Sequence, residues 1–119
     1  MIAAALCGSH ARGEAKHDSD VDFCIVSSDP ESLLADRSWI AALSAGARVA
    51  GALEDYGLVR SIRVFYGTTE AEFSIAPQAW MELPIDRGTA AVMNDGLRIL
   101  YDPEGRLEMA RSSAASSSR

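Results

Sequence analysis

The chain has 119 residues, 48% hydrophobic and 24% charged, which is enough for one globular domain with a modest core. Seventeen acidic against eleven basic residues give a formal net charge of −6. Basic residues such as Arg12, Lys16, Arg37, Arg48, Arg60, Arg63, Arg87 and Arg98 are scattered, whereas a nucleic-acid binder carries a basic face, so nucleic acid is disfavoured as a partner. No apolar run reaches the roughly 18 residues of a membrane span, so no membrane role is expected. Met1 to Cys7 lacks the basic lead of a signal peptide, which makes the cytoplasm the expected location.

Ile2 to Cys7 reads as a buried strand, although its three alanines are weak strand formers. A short helix is expected within residues 10–17. Val21 to Ser27 reads as a second buried strand. Asp29-Pro30-Glu31 has the form of a helix start, with Asp29 as cap and Pro30 in the first position. That helix is predicted to run to about Ser44 with a break near Asp36, to present Leu33, Leu34, Trp39, Ile40 and Leu43 on one face, and to stop at Gly46. Strands are predicted over Arg48 to Asp55, Val59 to Tyr66 and Glu70 to Ala76, the last two as a hairpin turning at Gly67 and ended by Pro77. An irregular crossover over residues 77–84, a helix over Asp86 to Asn94, a strand over Leu97 to Tyr101 and a turn over Asp102 to Gly105 complete the domain, residues 1–110. Arg111 to Arg119 holds five serines and two alanines and is predicted to be disordered. Cys7 and Cys24 fall in predicted buried strands and read as core packing, since two cysteines with only His10 and His17 nearby do not spell a zinc site.

The segment carrying most chemical information joins the first two strands. Gly8-Ser9 breaks the first apolar run, and Asp20 and Asp22 follow eleven and thirteen residues after Ser9. On a strand, residues two apart share a face, so Asp20 and Asp22 project together while Val21 and Phe23 point the other way. Two like charges held side by side need a compensating group. A hard divalent cation bound through carboxylate oxygens, and shared with substrate phosphates, is the usual one.

Gly-Ser-x-Ala-Arg-Gly, a spacer and Ser-Asp-Val-Asp before an apolar strand resemble the signature of the polymerase-β-like nucleotidyltransferase superfamily. The likeness covers residues 2–26 and includes small drug-modifying adenylyltransferases and minimal nucleotidyltransferases. It implies an α/β (α+β) fold, a mixed β-sheet with helices packed against it, here without a C-terminal helical domain and with almost nothing ahead of the first strand. The chain is therefore expected to be a minimal member or the ordered part of a longer one. The resemblance makes Asp20 and Asp22 ligands of two Mg²⁺ ions, and assigns Gly8, Ser9, Arg12 and Ser19 to the triphosphate. A third carboxylate that orients or deprotonates the acceptor would come from a neighbouring strand. Glu72, in Ala71-Glu-Phe-Ser-Ile75, has that setting, with Glu70 as alternate on the same face and Arg63 beside it to balance the charge. Trp39 and Trp80 read as core or interface residues.

The implied reaction moves a nucleoside monophosphate from a nucleoside triphosphate, ATP first among them, to a hydroxyl of a small molecule or protein, with release of pyrophosphate. Two other functions stay open at this level. One is an antitoxin-type module that binds, and nucleotidylates, a helical partner protein; the other is a non-catalytic scaffold. A homodimer is compatible with each.

Overall fold

The computed structural model describes residues 1–8, 13, 21–43, 48–56, 58–66 and 69–117. In chain order these form β1 (Ala3–Cys7), β2 (Val21–Ser27), α1 (Pro30–Ala35), α2 (Ser38–Leu43), β3 (Arg48–Tyr56), β4 (Val59–Tyr66), β5 (Thr69–Pro77), a 3-10 turn (Gln78–Met81), α3 (Arg87–Asn94), β6 (Leu97–Tyr101) and α4 (Arg106–Ser117). The strands make one sheet in the order β3-β4-β5-β2-β1-β6. β2 and β5 are parallel and every other neighbouring pair is antiparallel, so the sheet is mixed, as expected. The short helix predicted within residues 10–17, the stop at Gly46 and the hairpin loop at Gly67 lie outside the described residues.

Strand alternation sorts the side chains of the central strands into two layers. On one face Phe73, Ile75 and Ala71 of β5 join Ile62 and Val64 of β4, with Val21, Phe23 and Ile25 of β2 packed alongside. Leu34 and Ile40, with Leu33 and Trp39, cover this layer from α1 and α2. The two short helices are the single predicted one, broken at Asp36-Arg37. Asp29 caps the first, accepting from the Ser32 amide at 3.4 Å and the Ser32 hydroxyl at 2.6 Å, with Pro30 in the first turn. At the break, the Asp36 carboxylate accepts from the Ser38 amide at 3.0 Å and starts the next turn. Hydrogen bonds from the Ser38 amide and the Ser38 side chain to the ionised form hold Asp36 below the usual carboxylate range.

The opposite face is covered only in part. Ala3, Ala5, Cys7, Cys24, Val26 and Ala76 pack there against Trp80, Met81, Ala90, Met93, Leu97, Leu107, Ala110 and Ala114. Ala3 and Ala5 are fully buried. Their small side chains suit a strand roofed closely by helices, which is why weak strand propensity is overridden. Cys7 and Cys24 are buried in this core, as expected, and are joined across β1 and β2 as a disulfide, which the sequence reading did not anticipate.

The serine-rich stretch from Arg111, expected to be disordered, is instead helical through Ser117. Leu107, Ala110 and Ala114 recur at helical spacing and are fully buried. Asp102 starts the helix by accepting from the amides of Leu107 at 3.1 Å and Glu108 at 2.9 Å. Near its end the Asn94 amide group donates to the Ala114 carbonyl at 3.1 Å, and Arg111 donates to the Leu97 carbonyl at 3.2 Å. Composition pointed to disorder because serine is polar, but Ala114 needs only a small contact to dock. Removing residues 111–119 is expected to lower unfolding free energy by about 1–3 kcal/mol in urea denaturation, the worth of one small buried side chain and two hydrogen bonds; a disordered tail would leave the midpoint unchanged.

Candidate active site

β2 and β5 are aligned so that Asp22 pairs with Glu72, Phe23 with Phe73 and Cys24 with Ser74. Adjacent strands lie about 4.8 Å apart. Asp22 and Glu72 therefore leave the sheet side by side, on the face opposite the aromatic layer. The Phe23 and Phe73 rings stack beneath them at 5.1 Å between centroids, with 10° between planes. Trp39 meets Phe73 edge-on at 5.3 Å. Val21 and Phe23 thus point away from Asp22, as the alternation predicted. Asp20, Ser9, Arg12 and Ser19 lie outside the described residues.

The two carboxylates open into a trough of about 280 Å³ that also includes Gly8, Ser74 and Asp95. No described residue lining it is basic. Gly8 has φ +67°, and a Cβ there would stand 3.1 Å from the Asp22 Oδ2. Glycine is needed twice over: for the left-handed backbone and to let the Asp22 carboxylate come close. The Gly8 amide donates to the Gly96 carbonyl at 3.3 Å, joining the end of β1 to the start of β6.

Glu70 and Glu72 differ in what they touch. Glu70 accepts from the Arg63 Nε at 2.6 Å, and the same guanidinium reaches Glu54 at 3.1 Å. Arg63 stands opposite Glu72 in the β4–β5 register, yet balances Glu70 and Glu54 instead. Glu72 is half-buried, lines the trough and makes no hydrogen bond or ion pair among the described residues. A poised carboxylate beside a second one is a donor set suited to a hard cation and to proton transfer.

The chain belongs to the nucleotidyltransferase domain family. The family's model matches residues 2–65, which run from β1 through β4. This agrees with the polymerase-β-like resemblance and with the mixed sheet, and nucleotidyl transfer is the general function it brings. No curated protein matches the chain significantly. The matched stretch of the nucleotidyltransferase domain stops short of Glu72, whose place beside Asp22 comes from strand pairing alone.

Sequence reasoning missed Ser74 and Asp95. Ser74 had a usable signal: Glu70, Glu72 and Ser74 on β5 and Ser61 and Arg63 on β4 are polar at every second position of interior strands, the mark of a face not roofed by apolar groups. Asp95 had none, because only the β1–β6 pairing brings it to Gly8.

Gly8→Ala is expected to cost roughly 1–2 kcal/mol of stability, the penalty of a side chain in the left-handed region, and to shift the Asp22 carboxyl resonance in NMR. Phe73→Ala, measured by urea denaturation, should cost about 3–5 kcal/mol through the cavity it leaves.

Proposed function

We propose that the nucleotidyltransferase domain moves a nucleoside monophosphate from a nucleoside triphosphate, ATP as the expected donor, to an acceptor hydroxyl, with release of pyrophosphate. The observation carrying this reading is the register pairing, in one trough, of Asp22 with Glu72, which has no ion pair among the described residues. Two Mg²⁺ ions suit the donor set, because Asp20, Asp22 and Glu72 offer hard oxygen ligands. When bound, the ions neutralise phosphate charge and make the acceptor hydroxyl more acidic.

The remaining work falls on the chain's own residues. Glu72 takes the acceptor's proton. The acceptor oxygen forms its bond to the α-phosphorus as the bond from that phosphorus to the bridging oxygen breaks, and the electron pair leaves with pyrophosphate. Asp22 fixes the position of this exchange, and Gly8 keeps the approach to Asp22 clear of a side chain. Ser9, Arg12 and Ser19 are assigned to the triphosphate on the resemblance. Positioning and charge neutralisation dominate, since phosphoryl-type transfer demands little covalent chemistry from the protein.

Incubation with Mg²⁺ and each α-labelled triphosphate, with a cell lysate as acceptor source, tests the reading. Asp22→Asn should lower label transfer by about 100-fold or more, the scale of a lost preorganised electrostatic group. Glu72→Gln should cost about 10²–10⁴-fold, as for a general base, while Glu70→Gln should stay within about threefold, the scale of a partly exposed ion pair. Transfer that survives Asp22→Asn overturns the site.

A further inference from the structure

A second, larger cavity of about 610 Å³ adjoins the trough and shares Glu72 and Ser74 with it. Its floor is Val59 and Ser61 of β4 with Glu72 and Ser74 of β5; Thr89 and Val92 of α3 and Trp80 of the 3-10 turn also line it. This is the stretch of the sheet's second face that the α3–α4 core leaves uncovered. The volume falls within the range of sites for small molecules.

Sheet order says which substrate it takes. Passing from β1 through β2 and β5 to β4, one meets Gly8, Asp22, Glu72 and then Ser61. With the triphosphate on the Gly8 side, an in-line nucleophile enters from the far side of the transferred phosphorus, beyond Glu72. The cavity lies there.

Its chemistry narrows the class further. Leu58, Val59, Trp80 and Val92 are apolar, and the carboxylates of Glu72 and Asp86 face it with no described basic residue to offset them. An acidic ligand would be repelled. Ser61, almost fully buried, shares a hydrogen bond of 3.0 Å with Ser74. Two hydroxyls sharing one bond retain a second O–H and free lone pairs for a ligand's polar group.

We propose that this cavity is the acceptor site and that the acceptor is a small alcohol with a mainly apolar body and no acidic group. Its hydroxyl meets Glu72 and its body packs on Trp80. The proposal rests on the nucleotidyl-transfer reading above.

The two tryptophans provide the test, because Trp80 lines the cavity while Trp39 packs on the other face against Phe73. In the ¹⁵N-labelled full chain, 2-phenylethanol as probe should move the Trp80 indole resonance saturably and leave that of Trp39 in place. Leu58→Arg should weaken this binding at least tenfold. With MgATP labelled at the α-phosphate, label should pass to 2-phenylethanol and not to glycerol 3-phosphate. No saturable Trp80 shift, or preference for glycerol 3-phosphate, overturns the proposal. Label passing to lysate macromolecules but not to bound 2-phenylethanol also overturns it, while leaving nucleotidyl transfer standing; no transfer to any acceptor overturns that broader reading.

Discussion

The parallel pairing of β2 with β5 is the constraint on which the site depends. Phe23 and Phe73 stack under the pair, and Asp22 and Glu72 are the residues immediately before them on the opposite face. Side chains alternate strictly along a strand, so burying one aromatic pair presents one carboxylate pair. A slip of one residue would drive Glu72 into the apolar layer and Phe73 into water. The hydrophobic effect thereby holds two like charges together, which their own electrostatics would oppose.

Unequal roofing of the two faces does the rest. α1 and α2 lie over an unbroken apolar layer, whereas α3 and α4 cover the other face chiefly at its β1–β2–β6 end. Polar groups of β4 and β5 occupy the part left open. Arg63 is held there by Glu70 and Glu54, which keeps its positive charge from neutralising Glu72. Cys24 belongs to the core and also lines both cavities, so the packed and the open regions meet two residues from Asp22, on the same face of β2.

Much of the fold was legible from local pattern. The bounds of β2, β4 and β6, the Asp29-Pro30 helix start and the break near Asp36 follow from alternation, caps and prolines, each acting over a few residues. The helix over Arg111–Ser117 was not legible, because serine-rich composition says nothing of a docking surface supplied by α3 and β6. The cystine of Cys7 and Cys24 was hidden for a similar reason: the two residues are diagonal neighbours only after β1 and β2 pair.

At the site the division is sharper. The sequence alone determined that Gly8 and two alternating aspartates form a motif of the nucleotidyltransferase kind, and that Glu70 and Glu72 both qualified as a third carboxylate. It could not separate them, since residues two apart on a strand are equivalent by alternation. Only the tertiary structure gives the two different surroundings, through which charge a neighbouring strand supplies: Arg63 pairs with Glu70, and Asp22 stands beside Glu72. The reason is physical, in that alternation is a property of one strand whereas register is a property of two, and ionic partners are assigned by register.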